Sequence, residues 1–429
     1  MIALTTRNLW SYIGALSVAF WQARSTLTTI ELDLGKNQHT ITLADTLLTC
    51  TSVTNLTFTT ASSMSTLGGD FFLLSDKHPL QNLELKSSSI TGPDIEMLLQ
   101  RCQQLRRLVM DGCDTTVLDM VYQHARNLEI LGYNHDYETQ NLLPTISTQP
   151  GLRRIYTNDG GAPVPATSIL PILYKNMQTL EVVYVHLTEM AKRDLQQFNA
   201  NHPFFKLETL SRLSFWSNRG IQELILQSIH QTKTLTHLDV VNVYDLSKLI
   251  DVVMTLPPLT KFQISHVRSS RYSGNFIKLF QRYALLSLSQ ESLNAATFRY
   301  CGAITDPALN SMADITTLQQ VFLCGLDNVT TRGLIKFLYK LKDQLTYVKL
   351  AEMDTVTDSS VIALSQVQTL TCAELECLLK VSNQGILGFI ENRSNKLRKL
   401  IVKTCPHISK EGIISVNFVK KNIQVVYHE

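Results

Sequence analysis

The chain has 429 residues, 44% of them hydrophobic and 17% charged, with a formal net charge of +3. That length exceeds one ordinary core and calls for two or three domains or one elongated array of repeats, and the composition excludes a disordered chain. The near-balanced charge lacks the basic excess of a nucleic-acid binder, so nucleic acid is not an expected partner.

In chain order, the first feature is the apolar stretch LWSYIGALSVAFW, residues 9–21. It is too short to cross a bilayer, so no membrane partner is expected. Residues 1–26 are read as an N-terminal capping helix that covers the exposed end of the fold. The alternative reading makes 9–21 the apolar region of a signal peptide, with Ser17-Val18-Ala19 as a small-residue cleavage site. That would make the protein a secreted or surface recognition module. The eight cysteines, none in a CxxC pair, favour a reducing setting instead, cytoplasmic or nuclear.

From residue 27 onward the chain is periodic. The most regular copies, spanning 293–422, start at Leu293, Leu318, Leu345, Leu370 and Leu397 and run 25 to 27 residues each. Each opens with apolar residues at relative positions 1, 4 and 6. Looser copies start at Leu27, Val53, Leu80, Leu105, Leu128, Leu152, Leu180, Leu210, Leu235 and Leu259, making about fifteen in all. Residues 423–428 read as a closing strand. The period and the LxxLxL opening are those of a leucine-rich repeat.

The later columns of the repeat have physical meanings. Position 14 holds Asp306, Thr331, Asp358, Asn383 and Lys410, and its Asp, Thr and Asn members suit the N-cap of a short helix. Pro307 then falls at the first helical turn. Position 16 is small throughout (Ala308, Gly333, Ser360, Gly385, Gly412), which lets the helix lie close to the strands. Positions 17 and 20 give that helix an apolar stripe. "RSSRYSGN" (268–275) and "TNDGGAPVPATS" (157–168) read as loops.

The expected fold is therefore α/β: one leucine-rich-repeat solenoid over residues 27–429, a horseshoe with parallel strands on the concave face and helices on the convex face. The run from Cys301 to Leu309, C-x-x-I-T-D-x-x-L, resembles the cysteine-containing class of leucine-rich repeats. CPHISKEGI (405–413) and ITGPDIEMLLQRC (90–102) share the resemblance. That class is typical of F-box proteins of the leucine-rich-repeat type, in the ribonuclease-inhibitor-like superfamily. The resemblance implies a substrate receptor or regulator in an SCF-type ubiquitin ligase pathway. No F-box signature is found in this chain, so contact with the F-box adaptor and cullin machinery is expected only if an F-box lies upstream.

No motif for phosphate, dinucleotide, metal or nucleophilic chemistry is present. The protein is not expected to be an enzyme, and no cofactor or metal is expected. Cys301 shares its column with Leu326, Met353, Leu378 and Cys405, which marks it as core filler. The strand positions between the leucines should meet a protein or peptide partner on the concave face. Trp216, Arg299, Tyr300, Phe322, Tyr347, Lys349, Arg398 and Lys399 are the candidates, because Tyr, Trp and Arg are enriched at interface hot spots and a strand position facing solvent has no folding reason to be aromatic. Asp239, Glu374 and Glu376 lie among them, so the partner should carry mixed charge. Tyr300→Ala is expected to weaken binding with little loss of stability, and Cys301→Ser the reverse.

Overall fold

The computed structural model describes residues 2–5, 25–33, 42–60, 73–75, 78–86, 90–134, 151–157, 162–202, 204–267, 270–289, 292–391, 396–419 and 423–428. The chain divides into two compact units, Met1–Leu210 and Ser211–Glu429.

The first unit holds strands β1 (Ile2–Thr5), β2 (Thr29–Asp33), β3 (Asn55–Thr59), β4 (Asn82–Lys86), β5 (Arg107–Asp111), β6 (Ile130–Tyr133), β7 (Arg154–Thr157) and β8 (Val182–Val185). Each pairs in parallel with the next. The second unit holds β9 (Arg212–Trp216), β10 (His237–Val241), β11 (Lys261–Val267), β12 (Ala295–Cys301), β13 (Gln320–Cys324), β14 (Tyr347–Ala351), β15 (Cys372–Glu376), β16 (Lys399–Lys403) and β17 (Gln424–His428). These too are parallel throughout. Every repeat start read from the sequence lies two residues before a strand, from Leu27 before β2 to Leu397 before β16, and within the segment expected as a closing strand β17 spans Gln424–His428.

The core follows the columns. Position 12 (Ile304, Val329, Val356, Val381, Ile408) and position 17 (Leu309, Leu334, Val361, Ile386, Ile413) are buried throughout. So are Cys301, Leu326, Met353, Leu378 and Cys405, which makes Cys301 the core filler its column implies. Desolvation pushes the Cys301 thiol up to about 12, so it stays protonated and unreactive.

Three details depart from the sequence reading. Residues 2–5 form a strand, not the start of a helix, in register with β2 from Ile2 opposite Ile30 to Thr5 opposite Asp33. That pairing satisfies the backbone groups β2 would otherwise leave open on this edge. The rest of the expected capping helix and signal segment, residues 6–24, lies outside the described residues. The expected loop at 268–275 is a 3-10 turn, Ser270–Tyr272, running into a 15-residue helix, Ser273–Ser287. The helix wins because Phe276, Leu279, Phe280 and Tyr283 recur at helical spacing and are all buried. Phe276 and Phe280 set their rings edge-on to Phe298 of β12, at 5.6 and 5.8 Å. In the other expected loop, residues 158–161 lie outside the described residues, Val164 bridges to Leu187, and a helix starts at Ala166.

The third departure concerns the caps. Position 14 does not cap its own helix; it reaches the next repeat. Asp306 Oδ1 accepts from the Thr330 N–H at 2.8 Å and Oδ2 from the Thr330 hydroxyl at 2.6 Å. Thr330 in turn caps Gly333 N–H at 3.0 Å. Asp358 holds Ser382 in the same way, at 2.7 and 2.7 Å, and Asn383 Oδ1 accepts from Ser409 N–H at 3.0 Å. The small residue at position 16 is explained by this reach. A Cβ on Gly333, Gly385 or Gly412 would overlap the side chain of Asp306, Asp358 or Asn383 respectively.

Candidate functional site

Parallel strands in register turn alternate residues into columns on one face, with neighbouring strands about 4.8 Å apart. In the second unit the middle outward column runs Ser214, Asp239, Gln263, Thr297, Phe322, Lys349, Glu374, Ile401 and Val426. Phe322 is half-buried on β13. The Arg299 guanidinium, from β12, lies 4.5 Å from its ring centroid, and Lys349 Nζ, from β14, lies 4.7 Å away. Two cations therefore lie over one aromatic ring, each such contact contributing on the order of 0.5–1 kcal/mol at an exposed site.

Lys349 continues the network toward β15 and β16. Its Nζ donates to Glu374 Oε1 at 2.9 Å and pairs with Glu376 Oε2 at 2.5 Å. Glu374 also accepts from Lys403 Nζ at 2.9 Å and from Tyr347 Oη at 3.0 Å. Glu374 is only 7% exposed. Burial alone would raise its pKa, but the Lys349 and Lys403 ammoniums and the Tyr347 hydroxyl outweigh it and hold the carboxyl at about 2. Burial likewise works against the charge on Lys349, yet Glu376 and Glu374 raise its pKa overall. Burial and the nearby Glu374 charge raise that of Tyr347. Two lysines and two glutamates thus neutralise one another on β14–β16.

A second cluster sits where the strands end. Tyr300 has a left-handed backbone, φ 48°, and its ring crosses Gly325 of the next repeat to reach Glu352 of the one after, Oη to Oε2 2.7 Å. Gly325 is itself at φ 57°, so neither its backbone nor the ring above it tolerates a Cβ. His266 stacks against Tyr300 at 5.1 Å. The hydrogen bond to Glu352, helped by burial, raises the Tyr300 pKa. The left-handed turn recurs at Asn242, His266, Tyr300, Gly325, Glu352, Cys377 and Thr404, one residue after the last outward strand position of each repeat.

Of the residues singled out from the sequence, Arg299, Tyr300, Phe322, Tyr347 and Lys349 come together on three adjacent strands. Trp216 is half-buried on β9, four strands from Phe322, and takes no part in the cluster. Lys399 lies in the first outward column of β16, beside Cys372, and Arg398 is exposed just before that strand. Tyr300 is tied to Glu352, so Tyr300→Ala is expected to cost stability as well as binding. Glu374 is the hub that the sequence shortlist omits; a carboxylate opposite Lys349 in register, with Lys403 diagonally across on the next strand, is the available signal.

In the first unit several cations on or beside the strands are paired with neighbouring acids. Glu84, 7% exposed, pairs with Lys86 at 3.1 Å and Arg107 at 3.3 Å. Arg106 pairs with Glu129 at 3.1 Å and Arg153 with Glu181 at 2.7 Å. Among the described residues no cluster of three or more His, Cys, Asp or Glu is arranged to hold a metal, and no helix is long and apolar enough to cross a membrane.

No protein-family model matches this chain, and no curated protein matches it. Solved structures do. Yeast Rad7, in its complex with Elc1, superposes with a TM-score of 0.50 at 14% identity, over 83% of this chain and 82% of that one. An internalin from Listeria monocytogenes gives 0.36 at 14% identity, over 95% and 88%, and TLR13 in its complex with ssRNA13 gives 0.39 at 11%, over 93% and 59%. With the all-parallel strands and repeating helices, the likeness to Rad7 establishes the fold class as an α/β leucine-rich-repeat array.

Proposed function

We propose that this protein is a non-catalytic recognition module that binds a protein or peptide through the strand face of its second unit, centred on Phe322. The observation that carries the reading is the half-buried Phe322 ring between Arg299 and Lys349, on a face where strand pairing leaves the side chains open to solvent. The half-exposed Phe322 ring and the Arg299 guanidinium over it offer apolar area together with charge, and aromatic and Arg side chains are enriched at binding hot spots. The adjoining Glu374 network holds the lysines and Tyr347 in place, so the surface is ordered before a partner arrives, which limits the entropy lost on binding.

The resemblance of the Cys301–Leu309 run to the cysteine-containing repeat class supports a narrower role: a substrate receptor or regulator in ubiquitin-dependent turnover. The fold likeness to Rad7 is compatible with that role. Affinity capture with the full chain and with its Phe322→Ala/Arg299→Ala variant tests both levels. Proteins retained by the parent and lost by the variant are expected. Recovery of a cullin and its adaptor with both forms supports the ubiquitin role, and their absence removes it.

A further inference from the structure

One row of basic residues on the same face belongs to none of these networks. Arg212, His237 and Lys261 occupy the first outward column of β9, β10 and β11, directly opposite one another in the register. With strands about 4.8 Å apart the row spans about 10 Å. Arg212 and Lys261 are exposed and His237 is half-buried. Among the described residues, neither the Arg212 nor the Lys261 side chain has a hydrogen bond or an ion pair.

We propose that this row binds an acidic segment of a protein chain, two or more carboxylates on extended backbone. The proposal rests on the strand-face reading above and gives the partner a charge and a place. The two cations stand two strands apart with His237 between them, and among the described residues neither is joined to an acid of the chain. At two other places on a strand face the chain pairs cations with an acid: Lys86 and Arg107 with Glu84, Lys349 and Lys403 with Glu374. Here the charge is left over. His237 registers the excess: burial first, then Arg212 and Lys261, lower its pKa.

The dimensions favour protein over nucleic acid. Carboxylates two residues apart on an extended peptide are about 7 Å apart, which a row of this length accommodates. Arg212 can take one of them bidentately. Nucleic-acid affinity comes from many phosphate contacts, and two permanent charges cover too few. Asp239, the next outward residue on β10 and hydrogen-bonded by Ser214 at 3.1 Å, bounds the site on one side.

The test uses the full chain and a fluorescent decapeptide of alternating Glu and Ser, read by anisotropy. Binding is expected at about 50 mM salt, weakening severalfold at about 300 mM as screening shortens. Arg212→Ala/Lys261→Ala should weaken it tenfold or more with an unchanged thermal midpoint. Should that variant misfold, Arg212→Gln/Lys261→Gln supplies the same readout. No peptide binding, equal binding by the double variant, or tighter binding of a ten-nucleotide single-stranded RNA overturns the proposal. If Phe322→Ala abolishes partner capture while no acidic peptide binds, this proposal fails and the strand-face reading stands. If the peptide binds as described but capture ignores Phe322→Ala, the reverse holds.

Discussion

Asp306 does not cap the helix it begins; both its oxygens hold Thr330, 24 residues on, through the Thr330 N–H at 2.8 Å and hydroxyl at 2.6 Å. The bond orients the Thr330 hydroxyl so that its lone pair meets Gly333 N–H. One repeat thus completes the cap of the next. Asp306→Ala should cost about 1–2 kcal/mol in urea unfolding. In a double-mutant cycle with Thr330→Ala the two losses should fall short of additive by at least about 0.5 kcal/mol. Additive losses would mean the two residues act separately.

The same geometry sets opposite signs for two glycine substitutions. Gly333→Ala improves helix propensity but drives a methyl into the Asp306 carboxylate, so a net loss of about 1–3 kcal/mol is expected. Gly274, in the first turn of the 273–287 helix, has nothing within 4 Å of where a Cβ would stand. Gly274→Ala should therefore stabilise by up to about 1 kcal/mol. Thermal denaturation of the pair checks both signs in one experiment.

Much of this was legible in the sequence because burial imposes period. Leucines that must point inward recur once per repeat, and each start from Leu27 to Leu397 duly precedes a strand. What the period does not carry is the direction in which a side chain reaches. Asp306 suits its own helix or its neighbour's equally well until the spacing between repeats is known. Likewise Arg299, Phe322 and Lys349 were each visible as outward residues, but their stacking depends on register across β12–β14, which 25- to 27-residue repeats specify only after the turns are placed. Strand β1 was missed because its four residues match no repeat copy.

Glu374 supplies a pH dependence. Its carboxyl is held at about 2 against an ordinary 4.5, so the native state prefers it ionised. A depressed folded pKa contributes stability above pH 4.5 that is lost as pH falls toward 2. The contribution is on the order of 2 kcal/mol after allowance for solvent at the face. Between those pH values the parent should lose more stability than Glu374→Gln, and at neutral pH the variant should be the weaker of the two. Parallel acid profiles would show that the network contributes nothing.

The thiols sort by burial. All eight cysteines are free, with Cys372 and Cys377 half-exposed and the other six buried. A disulfide reagent applied to native protein should label these two first and reach Cys301 only after unfolding. Cys301→Ser, which puts a hydroxyl in place of a fully buried thiol, should cost about 1–3 kcal/mol and leave partner affinity unchanged.

The most direct test of the binding face places a photo-reactive group in it. Phe322→p-benzoylphenylalanine in the full chain, irradiated inside cells, should give a covalent adduct with a protein. The same substitution at Tyr339, 50% exposed on the 331–340 helix, should give none. Adducts at 339 with none at 322 would contradict the assignment of binding to the strand face.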